Sequence, residues 1–321
     1  MTYHVLVPDQ VHPSALDVLK GAPELTFTAP GQMTRAELIA VLPGADALII
    51  RSASKVDAEV LAAADKLKII ARAGVGVDNV DVPEATRRGI VVVNTPDGNT
   101  ISTAEHTFGL MLALARHIPQ GHISMREGKW DRKSFMGVEL RGKTLGVVGF
   151  GRIGRAVAKR ALAFEMRVIA YDPYITADVG ADLGVEMVSL DDLFARADFI
   201  TLHALLTPET RDMINRDTLA KMKKGVRIID AARGALIDEA ALAEAIKSGH
   251  VAGAALDVFA QEPPPPDNPL VGLPGVVHTP HLAASTEDAQ IVVAVDAAQL
   301  VVDALTKGEY KNVVNPAAVK S

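Results

Sequence analysis

Residues 144–172 constrain the fold more than any other part of the chain. Thr144-Leu145-Gly146-Val147-Val148 has the content of a buried strand, Gly149-Phe150-Gly151-Arg152-Ile153-Gly154 follows at once, and a helical run continues from Arg155 to Ala163. Three glycines so spaced answer three demands: Gly149 permits the tight turn, Gly151 lets backbone approach a pyrophosphate, and Gly154 lets helix and strand pack closely. Arg152 and Ile153 stand where the helix begins, with its unpaired N–H groups toward the phosphates. A second strand, Arg167 to Tyr171, ends at Asp172, whose carboxylate suits the adenosine ribose hydroxyls and repels a 2′-phosphate. Pro173 and Tyr174 follow instead of basic residues, which favours NAD over NADP. The glycines alone are a weak signal that a plain strand-to-helix turn would explain; strand, turn, helix, strand and acid together predict a dinucleotide-binding unit.

The same alternation fills the rest of the chain. Short apolar runs at residues 5–7, 47–50, 69–71 and 91–93 form a first series, and those at 144–148, 167–171, 199–203, 227–230, 252–256 and 276–279 a second. Continuous apolar runs belong to strands covered by helices on both faces, so both series predict parallel sheets. With 321 residues, two domains are expected. A single helix over residues 101–118 lies between the series, at a domain crossover. Asp238 can cap a helix over 239–248 with Gly249 at its left-handed end, and Asn215 one over 216–223. Pro263 to Pro266 reads as a rigid loop.

Composition removes several classes of function. A net charge of -6 argues against a nucleic-acid surface. The absence of cysteine excludes disulfides, thiolate metal sites and cysteine nucleophiles, and nine scattered histidines show no metal-ligand spacing, so no metal is expected. No run reaches the roughly 20 apolar residues of a membrane span. The N-terminal residues lack a basic region followed by an apolar run, so a cytoplasmic protein is expected.

Open parallel sheets bind ligands at the carboxyl ends of their strands, and three groups fall there in the second series: Arg233, Glu262 and His281. An isolated Arg is ordinarily a surface ion pair, and a lone His a hydrogen-bonded structural residue. At successive strand ends the three suit hydride exchange with a hydroxy acid, Arg233 as the cation for its carboxylate, His281 as the base for its hydroxyl proton and Glu262 as the carboxylate that orients the imidazole.

Gly149 to Gly154, Ala232-Arg233-Gly234, Leu256-Asp257-Val258-Phe259 and Thr279-Pro280-His281 resemble the D-isomer-specific 2-hydroxy acid dehydrogenases over nearly the whole chain. The resemblance implies an α/β protein of two doubly wound parallel-sheet domains with a cleft between. One is a flavodoxin-like substrate domain of residues 1–98 plus 286–321, the other a Rossmann NAD domain of residues 99–285, and the helix over 101–118 would serve as hinge. It implies NAD as cofactor, with Asp257 contacting the nicotinamide carboxamide and His203 and Thr207 in the loop beside the cofactor.

Further stretches, Arg51-Ser52-Ala53, Arg72 to Asp81, Asn94 to Thr100 and Gly128 to Gly137, resemble members of the family that act on a phosphorylated acid. They imply Arg51 and Arg72 at the phosphate end, Gly74, Val75 and Gly76 around the carboxylate, Asn99 at the substrate, and Arg132 reaching the site of a neighbouring subunit in a homodimer or higher oligomer. The expected substrate is 3-phospho-D-glycerate, oxidised to 3-phosphohydroxypyruvate in serine synthesis; glyoxylate or hydroxypyruvate is the alternative within the family, and an NAD-sensing binding protein the alternative outside it. Leu205, Asp230, Ala235 and Ala283 depart from the family's commoner Pro, Asn, Gly and Gly. Longer relatives continue beyond residues 312–316 into a serine-binding regulatory domain, so feedback by serine through such a domain is not expected.

Overall fold

The computed structural model describes residues 2–319. They divide into two compact units, one formed by the residues up to Asn99 with those from Ser285 onward, the other by Thr100–Ala284.

The first unit alternates β1 (Tyr3–Leu6), α1 (Pro13–Lys20), β2 (Leu25–Thr28), α2 (Arg35–Val41), β3 (Ala47–Ile50), α3 (Ala58–Ala62), β4 (Ile69–Arg72), α4 (Val82–Arg87) and β5 (Val91–Asn94). Its sheet has the order β2-β1-β3-β4-β5 with every pair parallel, the flavodoxin-like arrangement. Both faces are apolar: Val5, Ile49, Ile69, Ala71 and Val93 point to one side, and Leu6, Leu48, Ile50, Ile70 and Val92 to the other. The sequence reading missed β2, whose Leu25-Thr26-Phe27-Thr28 is a half-exposed edge and so lacks the continuous apolar run of a central strand. At the opposite edge, residues 312–315 protect β5. Val314 N donates to Val92 O at 2.8 Å, while Asn315 accepts from Val92 N through Oδ1 at 2.7 Å and donates through Nδ2 to Ile90 O at 2.9 Å. An open edge would otherwise expose unpaired backbone groups.

The second unit opens with α5 (Thr100–Arg116) and α6 (Ile118–Arg126). The single helix expected over 101–118 is therefore two, broken at His117, which takes a left-handed φ of 53° as the N-terminal cap of α6, with Pro119 in that helix's first turn. Then come β6 (Thr144–Val148), α7 (Arg152–Ala163), β7 (Arg167–Tyr171), α8 (Ala177–Ala181), β8 (Glu186–Met187), α9 (Leu190–Arg196), β9 (Phe199–Leu202), α10 (Arg216–Lys221), β10 (Val226–Asp230), α11 (Glu239–Lys247), β11 (Val251–Leu256) and β12 (Val276–His278). Strand order is β12-β11-β10-β9-β6-β7-β8, with the winding reversing between β6 and β9 as in a Rossmann sheet. Asp238 and Asn215 cap α11 and α10 as read from sequence, and Gly249 takes φ 74°, although both helices end earlier than expected.

Register aligns the strand ends that matter. Val148 lies opposite Tyr171 and Leu202, Asp230 opposite Leu202 and Leu256, and Leu256 opposite His278. The loops after β6, β7, β9, β10, β11 and β12 therefore leave one edge of one sheet. α12 (Glu287–Lys307) returns the chain to the first unit. It is long and apolar enough by composition to cross a membrane, but Val293, Ala294, Ala297, Ala298, Val301 and Ala304 are packed in the first unit's core.

Asn315→Ala leaves the N–H of Val92 and the C=O of Ile90 without their partner. The expected loss is about 2–4 kcal/mol from two unsatisfied buried groups, read as a lower urea midpoint with an unchanged m-value.

Candidate active site

The glycine-rich turn meets the demands read from sequence, with one reason altered. Gly149 takes φ 89°, and a Cβ there would lie 2.6 Å from Ala204 N and His203 C, so it is the close approach of the β9 loop, together with the turn itself, that requires glycine. A Cβ at Gly154 would lie 2.1 Å from Gly149 O and 3.2 Å from Val147 Cγ1, while one at Gly151 would meet nothing within 4 Å. Helix packs tightly on strand at one glycine and open space stands before the other. Gly151 is the N-terminal cap of α7 and has no side chain to close it, so the helix's first turn suits an anion. Asp172 is held in place, Oδ2 accepting from Phe150 N and Oδ1 from Tyr174 N, each at 2.9 Å. Uncapped helix, open glycine and fixed carboxylate fit a dinucleotide with an unphosphorylated ribose.

Beyond β9, His203 Nε2 lies 3.0 Å from Thr201 Oγ1, and burial lowers the imidazole's proton affinity, so it is neutral at neutral pH. The following loop is tied by Thr210, which donates its hydroxyl to Leu205 O at 2.6 Å and accepts from Thr207 N at 2.8 Å. Leu205 itself is exposed, so the departure from proline leaves this tie intact.

At the other end of the sheet, His281 Nδ1 lies 2.7 Å from Glu262 Oε2, and Glu262 Oε1 accepts from Phe259 N. The Glu262 hydrogen bond raises the imidazole's proton affinity against burial and the positive charge of Arg233. Burial raises the Glu262 carboxyl, but its bonds from His281 and Phe259 N outweigh this and keep it below the usual range. A 2.7 Å contact with Nδ1 turns Nε2 to the exposed side of a half-exposed ring. Arg233 stands in the loop after β10, donating through Nη1 to Ala232 O at 2.6 Å.

Beneath this group lie two buried carboxyls. Asp257, fully enclosed, accepts from Leu282 N (2.7 Å) and Thr279 Oγ1 (2.6 Å) through Oδ1, and from Ala283 N (2.8 Å) through Oδ2. With these bonds it holds the loop that carries His281. Asp230, also enclosed, accepts from Ala232 N at 2.8 Å, while its Oδ2 has no hydrogen-bond partner. Burial pushes this carboxyl up to about 7, against the neighbouring backbone N–H groups and Arg233.

The expected substrate residues of the first unit share its carboxyl edge. Arg51 follows β3, held by Asp9 Oδ2 on its N–H at 2.6 Å, with Nη1 donating to Gln10 O at 3.1 Å. Arg72 ends β4 and donates to Ala73 O at 2.9 Å; its guanidinium occupies the place a Cβ on Gly74 would take, at φ 138°. Gly74 N donates to Thr95 Oγ1 and Asn94 Nδ2 to Val75 O, fixing the turn that leads to Gly76. Asn99 is the last residue of this unit's first segment, and Arg132 lies exposed on the segment after α6. Sequence reasoning missed Asp9 and His106. Neither lies in a local motif, and only the sheet brings Asp9 to Arg51, and α5 brings His106 to Asp257.

Residues 108–283 match the family model of the D-isomer specific 2-hydroxyacid dehydrogenase, NAD binding domain. The chain is 53% identical to D-3-phosphoglycerate dehydrogenase of Archaeoglobus fulgidus over 97% of its own length and 59% of the relative's. A glyoxylate reductase structure from Paecilomyes thermophila superposes with a TM-score of 0.89 at 32% identity, covering 98% of each chain. D-lactate dehydrogenase from Aquifex aeolicus, solved with NAD and lactic acid, gives 0.83 at 30% identity over 97% of this chain and 99% of that one. The chain belongs to the D-isomer specific 2-hydroxyacid dehydrogenase family and carries its NAD-binding domain. It spans about three-fifths of the length of the curated relatives it matches.

Asp230→Asn tests the buried carboxyl. Because its folded pKa lies above the unfolded value, the native state holds the proton that the unfolded chain loses, and stability falls as pH rises from the ordinary carboxyl range to about 7. The Asn variant escapes that loss. Its stability relative to the parent is expected to grow by about 1.4 kcal/mol per pH unit across this window, measured by urea unfolding; a pH-independent difference contradicts the assignment.

Proposed function

We propose that this chain catalyses reversible NAD-dependent oxidation of a D-2-hydroxy acid, with 3-phospho-D-glycerate and 3-phosphohydroxypyruvate as the pair. The observation that carries the chemistry is the 2.7 Å contact between His281 and Glu262 beside Arg233. NAD, held by the glycine turn and Asp172, would supply the acceptor for the hydride of carbon 2. His281 takes the hydroxyl proton on Nε2, and Glu262 stabilises the imidazolium that forms. Arg233 holds the substrate carboxylate or polarises the forming carbonyl. Gly149, Gly151 and the α7 N-terminus with Arg152 and Ile153 bind the pyrophosphate, and Asp172 the ribose.

Likeness to the phosphoglycerate dehydrogenases supports the phosphorylated substrate, with Arg51 and Arg72 as its phosphate cations, Gly74, Val75 and Gly76 at its carboxylate, and Asn99 beside it. Likeness to a glyoxylate reductase favours the second reading, the same chemistry on an unphosphorylated acid. A cytoplasmic homodimer is part of the proposal. Ile123, Met125, Trp130 and Met136 are exposed on α6 and the segment after it, an apolar surface that a second copy would cover while bringing Arg132 to the partner's site.

Purified protein with NADH is expected to reduce 3-phosphohydroxypyruvate in preference to hydroxypyruvate, glyoxylate and pyruvate, followed at the nicotinamide absorbance. Arg51→Ala should lower kcat/KM on the phosphorylated acid by roughly 10–100-fold, the worth of a charge-assisted contact, and leave the others unchanged. Equal losses on all acids sink the phosphate assignment.

A further inference from the structure

One polar side chain against the site has no part in the chemistry above. His106, on the second turn of α5, lies under the His281 loop with Nε2 3.2 Å from Asp257 Oδ1 and 3.1 Å from Thr279 Oγ1. Proton inventory defines its state at that nitrogen. Thr279 spends its hydroxyl proton on Asp257 at 2.6 Å, and an ionised carboxylate only accepts. His106 must therefore present Nε2–H, shared between the two oxygens.

Asp257 passes this contact on. Its carboxylate takes the N–H groups of Leu282 and Ala283, and its carbonyl takes that of His281 at 2.8 Å. His281 is thus bracketed on both sides, in a left-handed backbone conformation of φ 55°. A side chain in that region needs its surroundings to hold it, and in that conformation Nδ1 meets Glu262.

We propose that His106 is a positioning residue for His281, acting through Asp257. Its donated proton keeps the Asp257 carboxylate in the orientation that grips the N–H groups of residues 282 and 283, and so keeps the imidazole on Glu262. The electrostatics agree: burial raises the Asp257 carboxyl, but the bonds from His106, Thr279, Leu282 N and Ala283 N together bring it below its ordinary value. The charged groups facing His281 are Glu262 and Asp257, which raise its proton affinity, and Arg233, which lowers it; Asp230 faces Asp257 from the neighbouring strand end.

The importance of this contact for turnover rests on the proposed dehydrogenase reading, but its effect on His281 does not. The experiment compares His106→Leu, which removes the donor, with His106→Gln, whose Nε2 restores one. The direct readout is the titration of the His281 imidazole, followed by NMR in histidine-labelled protein without substrate and assigned by its loss in His281→Asn. H106L is expected to move the midpoint down toward the ordinary histidine value and to lower kcat by roughly 10–100-fold, the cost of a misplaced reacting group; H106Q is expected to recover both.

A lowered melting temperature in H106L with an unmoved His281 midpoint makes His106 merely structural and overturns the proposal, as does no change in either. Should H106L fail to fold, Thr279→Val is read instead, and an unmoved midpoint there is equally fatal. If the parent protein turns over no 2-oxo acid, the dehydrogenase reading falls while the NMR titration still decides this one.

Discussion

Parallel pairing is the constraint from which the molecule's working parts follow. Every strand pair in both sheets runs parallel, so each connection must cross a face and each carboxyl end must emerge at the same edge. Covering both faces demands strands without polar alternation, which is why Ile49 and Ile50, or Ile228 and Ile229, are both buried though they point in opposite directions. Gly149, Asp172, His203, Arg233, Asp257 and His281 then follow six strands of one sheet.

Bringing those ends together creates an electrostatic problem, because Asp230 and Asp257 are enclosed at adjacent strand ends. Burying a carboxylate costs several kcal/mol unless donors surround it. The two resolve this differently. Asp257 gathers donors from the 279–283 loop and α5 and stays ionised below its ordinary pKa. Asp230, with one oxygen unpartnered, holds its proton up to about 7, so at mildly acid pH it is a neutral neighbour to Asp257 and avoids placing two charges side by side.

Much of this was legible along the chain. Strands 47–50, 144–148 and 167–171 were read to the residue, because continuous apolar runs and flanking glycines are local signals. Edge elements were not. β2 is four alternating residues of a half-exposed edge and β8 only two, so neither shows the continuous apolar run by which the central strands were read. The break at His117 was not read because helix-forming residues stand on both sides of it, and a left-handed turn at one residue is decided by packing rather than by residue type.

By itself the sequence determined the parallel α/β class, the glycine turn, the acidic residue after the second strand and the set of Arg233, Glu262 and His281, since each is a local pattern of residue type and spacing. Tertiary structure alone decided which groups act on one another. That Glu262 reaches Nδ1 of His281, that His106 reaches Asp257 across 151 residues, and that Asp257 holds the loop on which His281 sits follow from strand register and helix packing. Proton affinities belong with these, because they depend on burial and on partners distant in the chain, quantities that residue spacing does not carry.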